Sequence, residues 1–253
     1  MNILLTGANG YIGLRLLPAL LEADHRVIAL VRDRGRFPCA QFQPFLDDGR
    51  LSLIEGDMLD PARLPAPPRD IDAAYYLLHS MGAGRGFEER EAACARNFTG
   101  WLESGACRRV IYLSGLVPDG PLSHHLQSRE NVNQILRSGK IPVTTLRASI
   151  IVGSGSASFE IIRDLVEKLP FMITPRWTAT RCQPIAIRNV IGYLTGCLDT
   201  PETIGQALDI GGPEILTYRD LLRQYAETRG LRRWFISLPL LTPRLSAGWL
   251  RFV

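Results

Sequence analysis

An α/β fold, with a doubly wound parallel sheet and a smaller C-terminal lobe, is what this sequence predicts, and three observations carry it. The chain opens on a short apolar run, a glycine turn, an amphipathic stretch and a second apolar run, MNILLTGANGYIGLRLLPALLEADHRVIALVRDR. Apolar runs then alternate with stretches of helical periodicity as far as Ile151, as in a parallel sheet with helices on both faces. From Gly153 onward that alternation gives way to a less regular pattern.

The elements follow in order. Asn2 to Thr6 is apolar and of strand length, and Leu14, Leu16, Leu17, Leu20 and Leu21 recur on one helical face. Val27 to Val31 reads as a strand buried on both sides. Arg32 to Asp48 is a polar connection with room for a short helix, and Leu51 to Ile54 is a third strand. After a proline-rich loop, Ile71 to Leu78 is a fourth strand, running into His79-Ser80-Met81-Gly82. Phe87 to Ser104 is a helix, Arg109 to Leu113 a fifth strand, and His124 to Ser138 a helix with Gly139 as its C-cap. Val143 to Ile151 is the sixth strand.

Beyond it, Phe159 to Leu169 is a helix, Met172 to Gln183 is irregular, and Pro184 to Ile187 is a short strand. Asn189 to Leu198 is a helix and Ala207 to Ile210 a strand; Thr217 is placed to cap a helix over Tyr218 to Arg229. The expected division is 1–152 for the sheet domain, with elements near 184–210 returning to it, and 153–183 plus 213–253 for the lobe. The apolar stretch Leu231 to Val253 stops without a cap, an end expected of a chain that continues or packs against something further on.

Composition narrows the class. Hydrophobic residues make up 46% and charged residues 21%, ordinary for an enzyme-like globular domain. A net charge of +4, spread along the chain, gives no basic face for nucleic acid. The five cysteines are scattered without C-x-x-C, so the expectation is a reduced cytoplasm with neither disulfides nor a zinc site. A strand beginning at Asn2 leaves no room for a signal peptide, and no run is long enough to span a membrane. The four tryptophans are expected to be packing residues.

Gly7, Gly10 and Gly13 stand three apart between strand and helix. Only glycine lets a backbone approach a phosphate this closely at a helix N-terminus, so the turn reads as a dinucleotide site even though its spacing departs from G-x-G-x-x-G. The cofactor-binding residues expected there are Gly7, Asn9, Gly10, Tyr11, Ile12 and Gly13. Arg32 follows the second strand, where arginine pairs with the 2′-phosphate of NADP and an acid would favour NAD. Asp33 is the rival; NADP is the expectation and NAD the alternative. Leu78 and His79 end the fourth strand, at the sheet edge where ligands gather, and are expected to bind the cofactor. Arg147, the Gly153-Ser156 turn, Arg176, Arg181 and Gln183 are weaker candidates.

TGANGYIG resembles the extended and atypical short-chain dehydrogenase/reductase superfamily, and ALVRD, EGDMLDP, YYLLHSMG, VIYLSGL, LSHHLQSR, LRASIIVGSGSASFE, TRCQPIAIRNV and IGGPEILTYRDL are similar to its NmrA-like and epimerase-like members. The resemblance implies a Rossmann domain with a C-terminal lobe, Asp57 and Met58 as the adenine contact, and Ser114 as the catalytic serine. It also implies Tyr-x-x-x-Lys on the following helix. Here no Tyr occurs between Tyr112 and Tyr193, and His125-x-x-x-Arg129 stands instead. The expected activity is therefore an NADP-dependent oxidoreductase or sugar-epimerase-like enzyme with Ser114, His125 and Arg129 as its catalytic set. The alternative is an NADP(H)-binding sensor or assembly protein without turnover. The acceptor is an unspecified small molecule, and the superfamily implies a homodimer built through two helices.

Overall fold

A computed structural model of the chain describes residues 1–79, 86–118, 120 and 122–238. Ser80 to Gly82, which follow the expected fourth strand, the final stretch from residue 239 and Trp249 lie outside the described residues. The chain divides into two compact units, residues 1–148 with 188–210, and residues 149–187 with 211–253.

The first unit is an α/β layer structure. Its strands are β1 (Asn2–Thr6), β2 (Arg26–Val31), β3 (Leu51–Glu55), β4 (Ala73–Tyr76), β5 (Val110–Gly115) and β6 (Val143–Ala148). The helices between them are α1 (Gly13–Glu22), the short α2 (Gln43–Asp47), α3 (Phe87–Glu103) and α4 (His124–Arg137). In the second unit come β7 (Ile151–Val152), α5 (Ala157–Lys168), β8 (Phe171–Pro175), β9 (Arg181–Cys182) and β10 (Ile185–Ala186). The chain returns to the first with α6 (Ile187–Asp199) and β11 (Ala207–Ile210), then ends in the second with β12 (Leu216–Thr217), α7 (Tyr218–Thr228) and β13 (Trp234–Leu238).

The large sheet has the order β11-β6-β5-β4-β1-β2-β3, parallel throughout. Crossing back to β4 after β3 reverses the direction of winding beside β1, and the carboxyl ends of β1 and β4 flank the crevice this opens. Successive residues of β4 serve opposite faces. Tyr76 packs edge-on against Phe98 of α3 at 4.9 Å, while the Tyr75 hydroxyl donates to the Leu194 carbonyl of α6 at 2.8 Å. The face under α3 and α4 is closed by Leu4, Tyr76, Phe98, Leu102, Tyr112, Val132 and Leu136, all buried.

Several boundaries move, each for a local reason. β4 stops at Tyr76 because the Leu77 N–H donates to Thr6 Oγ1 at 3.2 Å rather than to a ladder. β6 stops at Ala148, level with the last residues of both neighbours, Gly115 and Ile210. Ile151–Val152 pairs instead with β10 in the second unit. Gly139 has no positive φ and α4 ends on Ser138; a Cβ at Gly139 would lie 2.6 Å from Thr99 Cγ2, so closeness to α3 is what requires glycine there.

The second unit holds the larger surprise. Met172 to Gln183, expected to be irregular, contains β8 and β9, and β8 pairs in parallel with β13. Thr217 does cap α7, in a capping box with Asp220. Its core is Ile162, Val166, Met172, Leu222 and Ala226. Trp234 is 67% exposed, against the expectation of packing. All five cysteines are free thiols, and among the described residues no helix is long and apolar enough to cross a membrane.

One buried charge ties α6 to the sheet. Arg109, 7% exposed, donates from Nη1 to the Cys197 carbonyl at 2.9 Å and from Nη2 to the Leu198 carbonyl at 2.5 Å. These are last-turn carbonyls, left without intrahelical partners and facing a cation. Arg109→Met strands both carbonyls, and we expect a loss of about 2–4 kcal/mol, read as a lower urea midpoint for the first unit.

Candidate functional site

The turn after β1 is set by backbone contacts that no side chain would permit. Gly7 sits at φ +68°, and a Cβ there would lie 2.6 Å from the Leu77 carbonyl oxygen. A Cβ on Gly13 would lie 2.2 Å from the Gly7 carbonyl oxygen. The Gly10 N–H donates to that same Gly7 oxygen at 2.9 Å, while Asn9 and Gly10 themselves are exposed. α1 follows with no side-chain cap and no acid in its first turn. Its N–H groups and dipole therefore face the turn unopposed, which fits a pyrophosphate. Tyr11 and Ile12 are half-buried there, and the Arg15 guanidinium lies over the Tyr11 ring at 3.9 Å.

At the end of β2 the two rivals part. Asp33 is occupied by its own turn: Oδ1 accepts from the Gly35 N–H at 2.8 Å, and Oδ2 pairs with Arg36 Nε at 3.3 Å. Arg32 and Arg34 are exposed beside it. After β3, Asp57 Oδ1 accepts from the Leu59 N–H at 2.9 Å, the Met58 side chain is in the core, and the Met58 carbonyl accepts from Asn97 Nδ2 at 2.6 Å. The turn that would face an adenine is thus locked from beneath by α3.

The carboxyl ends of β4 and β5 gather the remaining candidates. Ser114 is 4% exposed near the end of β5. Arg129 of α4 lies against the next residue, since a Cβ on Gly115 would be 3.2 Å from Arg129 Cδ, and its Nη1 reaches the Leu113 carbonyl at 3.5 Å. The Tyr112 hydroxyl in turn donates to the Arg129 carbonyl at 3.3 Å. His125, one turn before Arg129, is exposed and tilted against the Phe87 ring at 4.9 Å. Leu78 packs against the core, and His79 follows it.

His79 is not alone. Its Nδ1 is 2.6 Å from Glu91 Oε1, and the other carboxylate oxygen of Glu91 accepts from the Ser128 hydroxyl of α4. The Glu91 side chain is 5% exposed and that of His79 24%. Glu91 and Ser128 are absent from the residues expected of this site. A signal was present: Glu91, Ala95, Phe98 and Leu102 recur at helical spacing, which puts a carboxylate on the buried stripe of α3. Around Glu91 burial raises the Cys94 thiol to about 11 and the Tyr76 and Tyr112 phenols above their ordinary range, so all three stay neutral near pH 7.

The weaker candidates have local partners. Arg147 Nε pairs with Asp209 at 2.5 Å in the first unit. In the second, Gln183 Nε2 donates to the Gly212 carbonyl at 2.7 Å, and Arg181 is exposed.

Comparison with known proteins agrees with the glycine turn. A family model described as NAD(P)H-binding matches residues 7–160. The divinyl chlorophyllide a 8-vinyl-reductase of Zea mays is 24% identical over 94% of this chain and 62% of its own length. That of Oryza sativa subsp. indica is 23% identical over 94% and 61%. The chain thus spans about three fifths of the length of the curated relatives it matches. Among solved structures, a UDP-glucuronic acid 4-epimerase from Bacillus cereus, in complex with UDP-glucuronic acid and NAD, superposes with a TM-score of 0.73 at 20% identity, covering 94% of this chain and 86% of the other. A nucleoside-diphosphate-sugar epimerase from Staphylococcus aureus reaches 0.75 at 15% identity, covering 98% and 84%. Those likenesses are of fold alone. The glycine turn lies inside the matched segment, and the chain belongs to the NAD(P)H-binding family.

Proposed function

We propose that the protein is an NADP(H)-dependent oxidoreductase that reduces a conjugated acceptor, with Ser114, His125 and Arg129 in place of Ser, Tyr and Lys. The dinucleotide, when bound, supplies the hydride. Gly7, Gly10, Gly13 and the α1 N-terminus hold its pyrophosphate, with Asn9, Tyr11 and Ile12 lining the turn and Asp57, Met58 and Leu78 bordering its path. Arg129 holds a ribose hydroxyl and Ser114 orients the acceptor. His125, exposed on α4, exchanges protons with solvent at the position of the missing tyrosine.

One observation carries the catalytic reading. Arg129 lies against Gly115, beside Ser114, with His125 one turn away on the same helix, so the face that Tyr-x-x-x-Lys would present is rebuilt from other residues. A conjugated acceptor is favoured because both curated relatives are vinyl reductases matched over 94% of this chain. NADP is favoured because Asp33 is spent in its own turn and Arg32 stands exposed.

Two measurements test the binding half of this reading. In fluorescence titrations the wild type prefers NADPH to NADH, and Arg32→Ala removes that preference by weakening NADPH alone, by roughly tenfold or more. A wild type that prefers NADH overturns the assignment to NADP. Gly10→Val, on the exposed lip of the turn, abolishes binding of both reduced cofactors while thermal unfolding stays within a few degrees of wild type. Unchanged affinity would remove the turn from the site. The catalytic half is tested by NADPH oxidation with divinyl chlorophyllide a and with phenanthrenequinone as acceptors. Tight binding with no turnover on either returns the protein to a sensor role.

A further inference from the structure

Reduction of a conjugated double bond or quinone needs a proton donor as well as a hydride, and the usual tyrosine is missing. Tyr76 and Tyr112 cannot replace it, since both phenols are buried and Tyr112 spends its hydrogen on the Arg129 carbonyl. Of the described titratable groups at the β4–β5 edge, His79 alone is both held by a buried carboxylate and partly exposed.

The geometry defines its state. A carboxylate can only accept, so Nδ1 carries the hydrogen that lies toward Glu91, and Nε2 is the atom left to face a ligand. Glu91 is fixed in turn by the Ser128 hydroxyl, so the imidazole is oriented from two helices at once. The pairing of β4 with β5 ends at Tyr76↔Tyr112, three residues before His79 on one chain segment and three before Gly115 on the other. Gly115 is where Arg129 is packed. Phe87 and Glu91 are one turn apart on α3, and His125 and Ser128 one turn apart on α4; His125 meets Phe87 while Ser128 meets Glu91. The two histidines therefore stand on consecutive turns of one helix–helix seam.

Resting on the oxidoreductase reading above, we infer that His79 is the proton donor of the reduction, with Glu91 as its positioning residue. The balance is simple. A reduced nicotinamide dinucleotide bound at the glycine turn would supply two electrons as hydride to one end of the acceptor bond, leaving the oxidised dinucleotide. The Nε2–H bond of the His79 imidazolium breaks, its electron pair stays on the ring, and the proton goes to the other end, carbon in an alkene or oxygen in a quinone. The ring is left neutral with Nδ1–H still donating to Glu91. His125, exposed one turn along the seam, returns a proton from solvent. The Cys94 thiol, the Tyr76 and Tyr112 phenols and the Ser128 hydroxyl around Glu91 are neutral near pH 7, and the Arg129 guanidinium keeps its proton, so none competes for the role.

The test compares wild type, His79→Gln and Glu91→Gln as full-length protein. NADPH titration should give affinities within about twofold of one another. Single-turnover NADPH oxidation, with phenanthrenequinone and with divinyl chlorophyllide a, should fall by about a hundredfold or more in His79→Gln and about tenfold in Glu91→Gln, and free imidazole should restore part of the His79→Gln rate. Independently of turnover, nitrogen NMR of labelled histidine in the cofactor-free protein should show His79 with Nδ1 protonated and a low-field Nδ1 proton, which Glu91→Gln loses. Wild-type rates in His79→Gln, or an Nε2-protonated neutral ring in wild type, overturn this assignment and leave the oxidoreductase reading standing. No turnover in the wild type overturns both.

Discussion

The site depends on a backbone contact at the crevice, where the turn after β1 meets the end of β4. Gly7 faces the Leu77 carbonyl so closely that a Cβ would lie 2.6 Å from it, and Gly13 faces the Gly7 carbonyl more closely still. Thr6 fastens the same junction from the side: its hydroxyl donates to the Tyr75 carbonyl at 2.9 Å and accepts from the Leu77 N–H at 3.2 Å. The glycine turn and the segment that leads to His79 are thereby fixed to each other through main chain and one buried hydroxyl. Any residue larger than glycine at position 7 or 13 would displace both at once.

Two buried charges extend that frame to the helices, and they are treated alike. Burying a charge is costly unless each of its donors or acceptors finds a partner. Glu91 accepts from His79 and Ser128, and Arg109 donates to two carbonyls at the end of α6. The first joins β4, α3 and α4 at the carboxyl edge of the sheet; the second joins the start of β5 to α6. Apolar contact could have held these elements with less desolvation. What the charges add is direction, since a carboxylate oxygen accepts best from a donor that lies near its lone pairs. At the β4 edge, direction is what a histidine needs in order to act on a ligand.

Where burial follows the chain locally, the sequence was legible. β1, α1 and β2 were read to within a residue because both faces of the sheet are covered and the apolar runs are unbroken. β11 and the Thr217 cap were equally plain. β8 was not, because Phe171 and Ile173 lie on its exposed face while Met172 and Thr174 are buried, so polarity does not alternate with burial, and its partner β13 lies some sixty residues on. The pairing Glu91–His79 escaped for a related reason: each residue had a plain local explanation, a helix acid and a strand-end histidine, and only the packing of α3 over β4 joins them.

The departure from Tyr-x-x-x-Lys has a physical logic of its own. A tyrosine, with an ordinary pKa of about 10, must be pulled down before it can exchange protons near neutrality, and a neighbouring lysine does this as well as holding the ribose. An imidazole, with an ordinary pKa of about 6.5, needs no such help. Under the assignment proposed above, histidine carries the proton and the cation on α4 keeps only the holding task, which a permanently charged, forked guanidinium such as Arg129 suits. Tyr76 and Tyr112 are pushed the other way by burial, toward neutrality, and close the core under α3 and α4. Under that assignment the absent tyrosine, the arginine in place of the lysine and the carboxylate buried on α3 belong to one arrangement.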